Sequence, residues 1–153
     1  MGCHAAGIDI SRACVGEARR ANRAAGLAGR IEVAQGDFHA IDSADNRWDA
    51  VICQESLIHS PDRAAVFAEV FRVLRPGGVF AFSDILTGAG ADMPSVEAAF
   101  DRLGAAAGAT VADYRDMAAA AGFDVAHVEE RQADIATHYD KLAAALEAPA
   151  SGL

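Results

Sequence analysis

The sequence predicts an α/β protein built on a mainly parallel sheet. Three observations predict it. Short apolar runs alternate with longer stretches of helical periodicity along the whole chain. One run, Trp48–Cys53 (WDAVIC), has a continuous apolar centre, as expected of a parallel strand covered on both faces. The runs also end in polar or acidic residues, at Asp9, Asp37, Gln54 with Glu55, and Asp84. Sheets of this kind bind ligands beyond the carboxyl ends of their strands, so those tips are where chemistry is expected.

The elements follow in order. His4–Ile10 (HAAGIDI) reads as a short strand, after which Ser11 offers a helix N-cap. A helix is predicted from Arg12 to Ala25, with Ala13, Val15, Ala18 and Ala21 as its apolar face and Gly26 and Gly29 as its stop. Ile31–Ala34 (IEVA) reads as the second strand, closed by Gly36-Asp37. A polar loop through Asp42–Asn46 leads to Trp48–Cys53, the third strand. Ser60-Pro61-Asp62 is expected to start a helix, with Pro61 at an early helical position. Ala65, Val66, Val70, Val73 and Leu74 give that helix its period, and Pro76-Gly77-Gly78 is expected to stop it. Val79–Phe82 reads as the fourth strand and Thr87–Pro94 as loop. Helices are expected over Ser95–Ala107 and Val111–Ala121, the latter stopped by Gly122. Val125–Glu129 (VAHVE) reads as a fifth strand and Ile135–Ala148 as a closing helix. Together these make one domain, with its core over 1–131 and a closing helix and tail over 132–153.

Composition narrows the function. The chain has 153 residues, enough for one domain with a real core. Its formal net charge is −9, from 22 acidic and 13 basic residues, with no basic stripe. That disfavours nucleic acid, whose phosphates require clustered Lys and Arg. No apolar run approaches the roughly 20 residues that span a bilayer, and the basic-then-apolar layout of a signal peptide is lacking, so the cytoplasm is the default. Cys3, Cys14 and Cys53 form no CxxC pair, which argues against a disulfide framework and against a metal site.

The strand tips each allow two readings. Asp9 can accept hydrogen bonds from both hydroxyls of a ribose, the acidic-residue rule of nucleotide-binding α/β domains; alternatively it caps a helix or faces water. Asp37, in GDF, can accept from an exocyclic amine such as that of adenine, with Ile10 and Phe38 as apolar neighbours for a flat base. Alternatively it bonds its own backbone in a Gly-Asp turn. The two carboxylates together, in one βαβ unit, favour a nucleoside pocket. Gln54, Glu55 and His59 follow the third strand in CQESLIHS. His59 is a candidate proton acceptor, though a histidine there can equally cap or pack.

At these residues the sequence resembles the class I S-adenosylmethionine-dependent methyltransferases. GIDIS, GDF and WDAVICQESLIHSPDRAAVFAEVFRVLRPGG stand in that family's order and spacing, with RVLRPGG the most specific piece. Within the family, GCHAAGIDISRACVGEARRANRAAGLAGRI, DNRWDAVICQESLIHSPD, YRDMAAAAGF and HYDKL are most similar to the glycine, sarcosine and dimethylglycine N-methyltransferases. The resemblance implies a Rossmann-like sheet and S-adenosyl-L-methionine as methyl donor. It implies that Asp9 holds the ribose hydroxyls, with Ile10 against the adenine. Asp37 meets the adenine amine, with Phe38 beside it. Gln54 lies near the sulfonium end, and His59 lines the acceptor side. A carboxylate-bearing amine calls for an arginine clamp, for which Arg115 and Arg131 are the candidates.

The chain departs from the family pattern at both ends. The first strand, with its acidic residue and GxGxG turn, is absent; GAGAD at Gly88–Asp92 follows the fourth strand and reads as loop. No last strand follows Arg131, and Glu147–Leu153 (EAPASGL) reads as a ragged tail. An incomplete domain is therefore expected, lacking the first and last strands, with two exposed rows of unpaired backbone groups. On this expectation the chain alone neither binds S-adenosylmethionine tightly nor turns over. Two other readings stay open: a degenerate, non-enzymatic binding domain, and an NAD-dependent dehydrogenase fragment. Asp9 suits the dehydrogenase, but GDF and RVLRPGG do not.

Overall fold

Two parallel strand pairs, each closed by a right-sized helical crossover, carry the fold. A computed structural model describes residues 2–105 and 108–147. Its elements are β1 (Ala5–Asp9), α1 (Arg12–Ala24), β2 (Ile31–Gln35), β3 (Trp48–Gln54), a 3₁₀ turn (Leu57–His59), α2 (Arg63–Val73), β4 (Leu74–Ser83), α3 (Met93–Leu103), α4 (Val111–Ala121) and α5 (Gln132–Glu147). β1 pairs with β2 through α1, in register Ala5 with Ile31 to Asp9 with Gln35. β3 pairs with β4 through α2, with Gln54 opposite Ser83. Among the described residues no strand joins the two pairs. Apolar residues of a parallel sheet consequently stand open, Ile52 at 82% exposure and Val79 at 59%. No helix among the described residues is long and apolar enough to cross a membrane.

Local signals place α1 and α4. The Ser11 side chain accepts from the Cys14 N–H at the start of α1, and Gly26 follows its end at φ 69°. Thr110 and Asp113 form a reciprocal capping box at the start of α4. Gly122 ends α4 at φ 103°, where a Cβ would lie 2.9 Å from Phe71 Cζ. Position 122 therefore needs glycine for both conformation and space.

The core forms around α2. Val66, Phe67, Val70 and Val73 are buried on one face of the helix, between the β3–β4 pair and α4. Phe67 is fully buried at the centre of an aromatic cluster. It meets Phe80, Phe82, Tyr114 and Phe123 edge-on, with ring centroids 5.5, 5.4, 5.8 and 6.4 Å away. Such edge-to-face contacts suit the quadrupole of aromatic rings. The loop between β2 and β3 is fastened to the same helix. Arg72 donates to Glu69, to Asp45 and to the carbonyls of Ile41 and Ser43, while Glu69 accepts from the Ile41 N–H. RVLRPGG is thus more than a turn, because its first arginine carries the loop.

Several expectations need correction. α2 begins at Arg63, with Asp62 as N-cap accepting from the Ala65 N–H, so Pro61 precedes the helix instead of entering it. Pro76-Gly77-Gly78 does not end α2. Leu74 is already extended and pairs with Trp48, and the residue before Pro76 is sterically barred from helical geometry. The Pro-Gly-Gly turn is instead an irregularity inside β4, between the Trp48–Leu74 and Ala50–Val79 pairs. α3 starts two residues early, capped by Asp92, and stops at Gly104 at φ 63°; residues 106–107 lie outside the described residues. Val125–Glu129 is not a strand. Its apolar residues Val125 and Val128 are exposed, and no neighbouring backbone among the described residues supplies a ladder. α5 begins at Gln132, and position 148 and the tail lie outside the described residues.

Phe67→Ala should lower stability by about 3–5 kcal/mol, because it empties the aromatic centre. Ile52→Ala, on the open sheet face, should stay within about 0.5 kcal/mol. Urea midpoints of the two variants check the contrast.

Candidate functional site

The parallel register brings two carboxylates to one edge. Asp9 ends β1 opposite Gln35, and Asp37 lies two residues beyond Gln35. Hydrogen bonds tie the two strand ends together: Gly36 N–H to Asp9 O at 3.1 Å, and Gln35 Nε2 to Ile10 O at 3.1 Å. Each carboxylate has one oxygen engaged. Asp9 Oδ1 accepts from the Ser11 N–H at 2.7 Å. Asp37 Oδ1 accepts from the His39 N–H at 2.9 Å and from His39 Nδ1 at 2.7 Å. The backbone N–H and then the ring of His39 hold the Asp37 carboxyl below the usual carboxylate range. The Oδ2 atoms of both residues have no partner among the described residues. Two carboxylates at the ends of paired strands, each with an open oxygen, suit a ligand that offers hydroxyl and amine donors, and fit an adenosyl group. Beside them Ile10 is 74% exposed, an apolar side chain with no core to join. Phe38 is half-buried, packed on the core and edge-on to the His39 ring at 4.7 Å.

The second strand pair adds its own tips. Gln54 ends β3, is exposed, and its carbonyl accepts from Ser56 Oγ at 2.9 Å. Glu55 follows at φ 48°, a left-handed conformation that costs a residue with a side chain about 1–3 kcal/mol. Such strain is concentrated at functional turns. His59 is exposed at the end of the 3₁₀ turn, its N–H bonded to Ser56 O at 3.1 Å.

Asp84, just past β4, is the most enclosed of the acidic tips. Its Oδ1 accepts from the Ile58 N–H at 3.2 Å and its Oδ2 from the hydroxyl of buried Tyr114. Burial raises the Asp84 carboxyl above its ordinary range, against the lowering effect of these donors. Burial, then the Asp84 contact, likewise raises the Tyr114 hydroxyl. Arg63 donates to the carbonyls of Leu57 and Ile58 at 3.1 Å. Asp84, Tyr114 and Arg63 thus fasten the turn that presents His59. Tyr114 and Arg63 lie inside the family-like segments YRDMAAAAGF and SPDRAAVF, but their roles were not readable there, since their partners are distant in sequence or are backbone carbonyls.

The two arginine candidates lie away from these tips in sequence and differ from each other. Arg115 is exposed on α4 and makes no hydrogen bond or ion pair among the described residues. Arg131 is exposed before α5 and is paired with Asp134 and Glu129, which raise its pKa. Neighbouring Gln132 reaches the loop after β4, its Nε2 3.4 Å from where a Cβ on Gly88 would stand. A surface depression of about 380 Å³ between α1 and β2 is lined by Arg19, Asn22 and Glu32, among others, and includes none of the tip residues.

Comparison with known proteins matches a family model described as a methyltransferase domain over residues 1–82. A dimethylglycine N-methyltransferase of Parasynechococcus marenigrum is 34% identical over 88% of this chain, which spans 48% of that relative's length. A sterol 24-C-methyltransferase of Gibberella zeae is 38% identical, but over only 52% of the chain and 21% of its own length. A crystal structure from Galdieria sulphuraria, of a protein assigned by inference as a sarcosine dimethylglycine methyltransferase, superposes with a TM-score of 0.84 at 31% identity. It covers 92% of this chain and 53% of its own.

Asp84→Asn should retain the fold, since an amide can still serve both the Ile58 N–H and the Tyr114 hydroxyl. A carboxyl whose folded pKa is raised costs stability as pH climbs from about 3.9, the unfolded value. The variant's stability relative to the wild type should therefore rise with pH from there and level off above the folded pKa. Paired urea titrations from pH 3 to 7 read the difference.

Proposed function

The chain belongs to the methyltransferase domain family, and from that premise we propose that it is the adenosyl-binding part of an S-adenosylmethionine-dependent N-methyltransferase of small amines such as sarcosine or dimethylglycine. One observation carries the reading: Asp9 ends β1 opposite Gln35, Asp37 follows two residues later, and each has a carboxylate oxygen without a partner among the described residues. Asp9 accepts from the ribose hydroxyls and Asp37 from the adenine amine, with Ile10 and Phe38 as the apolar walls. When bound, S-adenosylmethionine supplies an electrophilic methyl group for in-line transfer to the acceptor nitrogen. Family membership removes the dehydrogenase alternative for Asp9.

The remaining residues serve the acceptor side. Gln54 lies at the tip that meets the sulfonium end, and the strained turn at Glu55 fixes the direction in which the chain leaves that tip. The acceptor nitrogen must shed its proton before its lone pair can attack. His59, exposed beside that turn, receives this proton at its imidazole. Holding the two reactants in line supplies most of the rate in such transfers. Arg115 or Arg131 clamps the acceptor carboxylate. Arg115 has its guanidinium free among the described residues, whereas Arg131 would first have to release Glu129 and Asp134. An amine acceptor is favoured over a sterol because the amine N-methyltransferase relatives align over 85–95% of the chain, whereas the sterol methyltransferases align over 52–69%.

Calorimetry on the intact protein should show that Asp9→Asn and Asp37→Ala each weaken S-adenosylhomocysteine binding about tenfold or more. Sarcosine or dimethylglycine should be methylated. Arg115→Ala should raise KM for that amine and leave cofactor affinity unchanged. Binding that ignores both carboxylates, or absence of amine methylation, would refute the proposal.

A further inference from the structure

The loop after β2 contains a hydrogen-bonded relay that the proposed function does not use. The His39 ring lies between Asp37 and Ser60, with Nδ1 2.7 Å from Asp37 Oδ1 and Nε2 2.8 Å from Ser60 Oγ. Proton positions follow from the partners. A carboxylate held ionised can only accept, so Nδ1 carries the proton and donates to Asp37. In the neutral ring Nε2 must then accept, and Ser60 donates its hydroxyl proton to it. Ser60 Oγ also accepts from the Asp62 N–H at 3.1 Å. Every polar atom of the ring and of the serine is thereby matched.

An Asp–His–Ser chain of this kind suggests an activated nucleophile. Here that reading fails, because Ser60 is only 2% exposed and no substrate can reach its oxygen. What the relay does is mechanical. It holds Asp37 Oδ1 from two directions, by the His39 backbone and by its ring, and leaves Oδ2 to face a ligand. The same ring is braced by Phe38, and through Ser60 by the turn that bears His59 and the cap of α2. The bond between His39 and Ser60 spans the two strand pairs, linking the tip of β2 to the segment after β3.

We propose that His39 is a positioning residue that aims the Asp37 carboxylate at the 6-amino edge of the adenine and ties that aim to the segment carrying His59. The proposal rests on the adenosyl reading given above. It assigns base selectivity to a residue that does not itself touch the base.

The test compares two ligands: S-adenosylhomocysteine and its counterpart whose base is unsubstituted purine, lacking the 6-amino group. The wild-type intact protein should prefer the adenosyl ligand about tenfold or more. His39→Leu should bring this ratio close to one while the purine ligand binds within about threefold of the wild type. His39→Asn, which can keep a donor near the Nδ1 position, should retain most of the preference. A merely structural loss would weaken both ligands together. If the wild type discriminates and His39→Leu discriminates equally, the positioning role is wrong while the adenosyl site stands. If the wild type binds neither ligand or shows no preference, the adenosyl reading fails and takes this proposal with it. Long-range ¹H–¹⁵N NMR of the free protein provides a ligand-independent check. It should show the His39 ring protonated at Nδ1, with Nε2 shifting in Ser60→Ala. A ring protonated only at Nε2, or insensitive to Ser60, would overturn the inference.

Discussion

The register of one parallel strand pair governs everything at this site. Asp9 lies opposite Gln35, and the cross-strand bonds from Gly36 and Gln35 lock the two ends level. Side chains along a strand alternate between faces, so a slip of one residue would send one carboxylate to the other side of the sheet. Each carboxylate is steadied by a nearby donor. The Ser11 N–H compensates Asp9, and His39 compensates Asp37. The remaining oxygens have no partner among the described residues and stand open to a ligand's donors.

The second strand pair acts as the foundation. Phe67 gathers the aromatic rings of β4, α4 and the segment after it, so α2 cannot move without disturbing the sheet. α2 in turn carries Glu69 and Arg72, which hold the loop after β2. A chain of contacts thus runs from the core, through a helix, to the loop that displays Asp37. The opposite end of α2 is fastened by Asp62 and Ser60 to the same loop. The exposed apolar faces of β3 and β4 contrast with this well-packed side.

Much of this was legible in the residues because it is local. The Ser11 cap, the Thr110 cap and the Gly26 and Gly122 stops act within one helical turn, and β1, β2 and β3 follow from short apolar runs. What was not legible depends on partners distant in sequence. Ser60 and Asp62 both look like helix caps; Asp62 wins because Ser60 is occupied by His39, 21 residues away. Val125–Glu129 has the composition of a strand, yet composition cannot supply a neighbour. Phe67 fits the helical period, but its central place appears only when four rings from elsewhere converge on it. Glu55 gives no warning of its left-handed backbone, since nothing in QES requires it. The candidate site was therefore readable as a set of acidic strand tips, while its internal wiring was not.

A crystal structure of the intact protein with S-adenosylhomocysteine tests the central claim most directly. It should place the ribose hydroxyls on the Asp9 carboxylate and the adenine amine on Asp37 Oδ2, with Ile10 and Phe38 against the base. A nucleoside bound elsewhere, with both carboxylates facing only water, would contradict it.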